Sequence, residues 1–107
     1  MTAHGQDMSD LVWAMVFLDE RSIADIADNI TRQPKLARPT LYDASELASR
    51  LPLGFFDMQD ALTEHATALG AAAAEGDLDA MTAHYGDVMA TCVRCHAAYL
   101  NDPPTRE

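Results

Sequence analysis

Apolar residues recur along this chain at intervals of three and four, the spacing of one face of an α-helix. His4, Met8, Leu11, Met15 and Leu18 form the first such row and predict a helix over about 4–19. Asp19-Glu20-Arg21-Ser22 interrupts the row as a short polar turn, with Ser22 the expected cap of a second helix over about 22–32. Ile23, Ile26, Ala27 and Ile30 are the inward residues of that helix, and Pro34 ends it. A third helix is expected over about 54–75, with Phe55, Phe56, Leu62, Ala66, Leu69 and Ala73 on its apolar side. The small residues from Ala71 to Ala74 let a neighbouring helix come close. Gly76 breaks the helix and Asp77 caps the next, expected over about 77–100. Its seam is Leu78, Met81, Tyr85, Val88, Cys92, Cys95 and Tyr99, again stepping by three and four.

Between the second and third helices, prolines at 34, 39 and 52 mark a connection. Within it Asp43-Ala44-Ser45-Glu46 resembles a capping box and predicts one or two helical turns over 43–50. So long a connection fits an overhand crossing or a cover over one side of a bundle. The two hairpins should place their turns, near Glu20 and Gly76, at the same end. The expected architecture is therefore all-α: an antiparallel up-down four-helix bundle, one domain over residues 1–107.

The chemistry lies at the end of the fourth helix, in Cys92-Val93-Arg94-Cys95-His96. Two cysteines three apart with histidine directly after them form the attachment signal of a c-type haem. Residues i and i+3 share a helix face, so both thiols reach one porphyrin edge as thioethers. His96 is then placed as the proximal iron ligand. The competing readings are weaker. A dithiol redox pair belongs at the head of a helix in a βαβ unit, and no strand pattern is present. A zinc site needs four ligands, and the chain has only two cysteines. A disulfide across one helical turn is geometrically poor. One covalent haem c adds a large apolar body to a core that 107 residues would leave modest.

Composition sharpens this picture. Seven aromatics among many alanines and leucines suit close-packed helices. The formal charge of −10 excludes nucleic acid and predicts partner proteins with basic patches, in encounters weakened by salt. No apolar run reaches transmembrane length, and no signal peptide is visible after Met1-Thr2-Ala3-His4. Since haem attachment to such motifs normally takes place outside the cytoplasm, a periplasmic or membrane-anchored extracytoplasmic location is expected, with an export signal or an N-terminal anchor removed.

The sixth iron position has two candidates on the first helix. His96 lies 20 residues past Gly76, while His4 and Met8 lie 16 and 12 residues before Glu20. At ~1.5 Å per residue, His4 comes within about 6 Å of the level of His96 and Met8 within about 12 Å. His4 opens an apolar seam, where a histidine needs a polar partner that iron would supply. The alternatives are an exposed His4 on a frayed N-terminus, Met8 as a thioether ligand, and an otherwise empty distal face. His65 and His84 are read as surface or half-buried side chains, and Met15, Met58, Met81 and Met89 as core filler. Trp13 is a candidate contact for the haem or a partner subunit.

Over about residues 56–100 the chain resembles the class II cytochromes c, the cytochrome c-prime group. The resemblance is carried by Ala71-Ala72-Ala73-Ala74-Glu75-Gly76-Asp77-Leu78-Asp79, Tyr85-Gly86-Asp87-Val88 and Cys92-Val93-Arg94-Cys95-His96-Ala97-Ala98-Tyr99. It implies a four-helix bundle with the haem near the C-terminus and a sixth-ligand position on the first helix. Cytochromes c-prime proper hold an apolar residue there and bind nitric oxide or carbon monoxide; their low-spin relatives hold methionine. His4 falls at or near that position and departs from both patterns. Leu100 departs as well, standing where the group usually has a basic residue. The resemblance also implies a homodimer paired through the first two helices.

These readings converge on a non-enzymatic electron carrier with haem bound by Cys92 and Cys95 and ligated by His96 and His4. A gas-binding or gas-sensing module with a displaceable distal ligand is the alternative. A peroxidase-like enzyme would want a distal acid–base pair, which the first helix does not offer.

Overall fold

A computed structural model of the chain describes residues 2–33, 35 and 52–99, the side chains of 2–4 excepted. The predicted turns over 43–50 and Leu100 lie outside the described residues. Four helices make up the fold: α1 (Thr2–Val16), α2 (Glu20–Arg32), α3 (Leu53–Glu75) and α4 (Leu78–Tyr99). They form an all-α four-helix bundle.

The first turn corrects two expectations. α1 stops at Val16, short of the predicted 19, because Leu18 adopts a left-handed backbone with φ of 56°. A β-carbon is disfavoured there by about 1–2 kcal/mol, so the turn is held in place by its neighbours. Leu18 does not extend the core row; it is 57% exposed. The cap of α2 is Asp19, not Ser22. The Asp19 carboxylate accepts from the Ser22 backbone N–H at 3.2 Å and from the Ser22 hydroxyl at 2.7 Å. An ionised carboxylate is the stronger acceptor, which leaves serine the donor's role. These two bonds hold the Asp19 carboxyl below its ordinary value.

α2 turns Ile23, Ala27 and Ile30 inward, at i, i+4 and i+7. It ends as expected before Pro34: Gln33 is extended, with ψ of 142°, since a residue preceding proline is excluded from the helical region. The Gln33 side-chain amide then donates to Asp7 Oδ2 at 2.9 Å, tying the end of α2 to the start of α1. These two helices are therefore antiparallel.

α3 buries Phe56, Ala66, Leu69, Ala72 and Ala73. Its small residues admit α2 closely: a β-carbon on Gly70 would stand 3.5 Å from that of Ala27. Gly76 closes the helix with φ of 69°, its N–H returning to Ala72 and Ala73 carbonyls. Asp77 caps α4, accepting from the Ala80 N–H at 3.1 Å. The Glu20 carboxylate lies 3.5 Å from the place a Gly76 β-carbon would take, so both turns are at one end of the bundle. At the other end Phe55 of α3 meets Tyr99 of α4 edge-on, with centroids 5.7 Å apart.

One core joins the four helices: Leu11 and Ala14 from α1, the inward isoleucines and Ala27 of α2, the alanine face and Leu69 of α3, and Met81 and Val88 of α4. Leu78, placed in the α4 row by its spacing, is instead 48% exposed because it stands in the first turn, beyond the reach of the core. Packing runs in chain order, α1 on α2, α2 on α3 and α3 on α4; among the described residues α1 and α4 form no interface of comparable extent. No described helix is long and apolar enough to cross a membrane.

Because the folded Asp19 carboxyl titrates lower than the unfolded one, it stabilises the fold above the ordinary aspartate value of 3.8, and this contribution disappears as pH falls through the folded value. Thermal denaturation of Asp19→Ala against the parent should show a deficit near neutral pH that shrinks on acidification. A deficit independent of pH would remove the carboxylate cap as its source.

Candidate haem site

The motif occupies the last two turns of α4, at the end of the bundle away from the Glu20 and Gly76 turns. Its orientation follows from residues upstream. Asp87 marks the edge of α4 nearest α3, since its Oδ2 stands 3.8 Å from Nδ1 of His65 on that helix. At about 100° per residue, Cys92 lies roughly 140° round α4 from Asp87 and His96 roughly 180°. These two residues thus stand on the side of α4 opposite Asp87. Cys92 and Cys95 flank the direction of the buried Val88, at roughly 40° and 20° round the helix.

Cys92 is partly buried and packs against the core. Cys95 is partly buried too, and neither thiol is bridged. Burial pushes both thiols above the ordinary cysteine value, and for Cys92 the neighbouring Cys95 adds to the effect. A dithiol redox centre relies on a stabilised thiolate, the opposite direction of shift. Zinc is disfavoured as well: among the described residues no group of three or more His, Cys, Asp or Glu side chains could hold a metal ion. His96 is exposed in the last turn of α4.

The candidates on α1 are placed unequally. Met8 is partly buried against the core. His4 belongs to α1, but its side chain lies outside the described residues. Trp13 is exposed and stacked on Phe17, with ring planes 12° apart. Of the four methionines read as filler, Met81 is fully buried and Met15, Met58 and Met89 are partly so. One arrangement was missed by the sequence reading. His65 and His84, on different helices, both set Nδ1 3.8 Å from the same Asp87 Oδ2, and His84 Nδ1 is buried without a hydrogen-bond partner. The i, i+3 spacing of His84 and Asp87 was visible in the chain; the arrival of His65 from α3 was not.

The model of the Cytochrome C' family matches residues 42–100, more than half of the chain. The chain belongs to this family. A cytochrome c' of Alcaligenes xylosoxydans xylosoxydans is 43% identical over 63 residues, covering 59% of this chain and 44% of that protein. The match thus spans less than half the length of that relative. No solved structure matches the chain. Cytochromes c' carry covalently bound haem c, and the residues here fit it. Two unbridged thiols sit one turn apart near the end of α4, and an exposed imidazole follows directly after them.

The haem-bearing end of this cytochrome c' chain is braced by Tyr99, three residues past His96. Its hydroxyl is so near Gly54 that a β-carbon there would stand 2.9 Å away. Gly54→Ala gains up to ~1 kcal/mol of helix propensity but forces the Tyr99 ring from Phe55, a contact worth about 0.5–1.5 kcal/mol. The substitution should be close to neutral in the parent and stabilising by about 1 kcal/mol in a Tyr99→Phe background. Equal effects in denaturant titrations of both backgrounds would contradict the close approach.

Proposed function

We propose that this c-type cytochrome is an extracytoplasmic one-electron carrier. In this reading Cys92 and Cys95 hold the haem as thioethers, His96 is the proximal ligand and His4 the distal one. The observation that carries it is the pair of unbridged, partly buried thiols on one helical face with the imidazole adjoining. Bound there, haem supplies reversible one-electron chemistry at its iron. The chain's own residues do the rest. The thiols fix the porphyrin edge to the last turns of α4. The core residues Met81 and Val88 anchor that helix against the bundle. Phe55 and Tyr99 brace the end of α4 from α3. Two imidazoles favour ferric iron more than a methionine–histidine pair does, so the potential is comparatively low. The charge of −10 directs the carrier to basic partners and away from nucleic acid. An extracytoplasmic setting follows from where such motifs receive haem.

Gas binding is the second reading, favoured by one observation. α1, which carries both distal candidates, packs on α2 and, among the described residues, forms no comparable interface with α4. A ligand supplied from so lightly held a helix can be displaced by carbon monoxide or nitric oxide.

Mass spectrometry of protein matured in an export-competent host should show one haem attached, retained in either Cys92→Ser or Cys95→Ser and lost in the double variant. A bare polypeptide in the parent would end this reading. Optical spectra separate the two functions. The electron carrier shows sharp, split bands when reduced, unmoved by carbon monoxide, and His4→Ala turns them high-spin and gas-sensitive. A parent spectrum shifted by the gas favours the sensor. Low-spin bands surviving in His4→Ala assign the distal ligand to Met8.

A further inference from the structure

The first turns of α1 carry both distal candidates, yet the described contacts hold them lightly. A β-carbon on Gly5 would meet nothing within 4 Å, and the Gln6 amide donates within its own helix, to Asp10 at 3.0 Å. The fully buried part of α1 begins later, at Leu11 and Ala14, with Met8 packed against that core. Of residues 5–7, Asp7 is the one bonded across to another helix. Its Oδ2 accepts from the Gln33 side-chain amide at 2.9 Å, in a partly buried position. Asp7 stands one turn past His4 and directly before Met8.

We propose that Gln33 is a positioning residue for the sixth iron ligand, its bond to Asp7 holding the start of α1 at the haem-bearing end of the bundle. The inference rests on the reading that α1 supplies that ligand, and it holds for His4 and Met8 alike. The donor is fixed from behind. The Gln33 backbone N–H donates to the Ile30 carbonyl at 3.3 Å, and Ile30 is buried in the core. The position before Pro34 keeps the Gln33 backbone extended, so its side chain leaves α2 from a constrained point. The acceptor is a carboxylate, which makes the bond charge-assisted and stronger than one between neutral groups.

The level of the bond gives it a purpose. Asp7 lies 13 residues before Glu20 and Cys92 lies 16 past Gly76, and those two turn residues are neighbours. At ~1.5 Å per residue, Asp7 and Cys92 are about 20 and 24 Å along their helices, at nearly the same height. Among the described residues α1 packs on α2 and has no comparable interface with α4. The register of α1 against the haem motif is therefore transmitted through α2, and Gln33 is where α2 grips the ligand-bearing turns.

The haem-loaded full chain is titrated with urea while two signals are followed, the low-spin visible bands of the iron and the far-ultraviolet circular dichroism of the helices. Gln33→Glu, nearly the same size, sets a second carboxylate against Asp7. Below the helix transition its high-spin fraction should be about tenfold that of the parent, the effect of losing one charge-assisted bond. Joining Asp7→Asn to Gln33→Glu again faces an amide with a carboxylate, the roles exchanged, and should return the bands to the parent's course. Asp28→Asn, which breaks an exposed ion pair with Arg32 inside α2, should leave the bands unchanged. Bands and helicity lost together in Gln33→Glu, or no recovery in the double variant, make Gln33 a general tie of the fold and overturn the proposal. A parent that is high-spin before any urea is added ends the reading of an α1 ligand itself, and the proposal with it.

Discussion

The close contact of α2 with α3 holds this molecule together. Each hairpin alone is two helices with one apolar side uncovered; Ala27 against Gly70, framed by Ile23, Ile30, Leu69 and Ala73, covers both at once. Small residues make the contact possible because they let the helix axes approach without leaving voids between larger side chains. The same contact orders the rest. It sets α1 and α4 on the outside of the hairpin pair, each resting on one inner helix. A chain with bulkier residues at 70 or 27 would separate its halves.

Most of the fold was legible in the chain because helix faces are written at short range. Rows at three and four located four helices, and Gly76, Asp77 and Pro34 stopped or started them where expected. The misreadings occurred where two local rules competed. Asp19 and Ser22 are both good caps, and spacing could not say which would accept and which would donate. Leu18 continues the apolar row of α1, yet the need to reverse direction overrode the row and placed it in a left-handed turn. Leu78 keeps the period of α4 but stands in the first turn, beyond the reach of the core.

The site divides in the same way. Cys92, Cys95 and His96 are adjacent, so their geometry comes with the helix and could be read in advance. The upward push on both thiols could not, because it comes from burial by other elements. Nor could the company of Asp87, since only tertiary packing brings His65 from α3 to a carboxylate that already has His84 one turn away. The aromatic surface around Trp13 was visible as composition. That it faces outward, with carboxylates beside it, is a property of how α1 lies on α2.

The carboxylate shared by two imidazoles carries a consequence for the haem-bearing helix. Asp87 Oδ2 stands 3.8 Å from each Nδ1, too far for a hydrogen bond yet close enough to mark where the edges of α3 and α4 meet, about a turn and a half ahead of Cys92. The strut on which the porphyrin hangs is thereby indexed against α3 by side chains outside the haem motif.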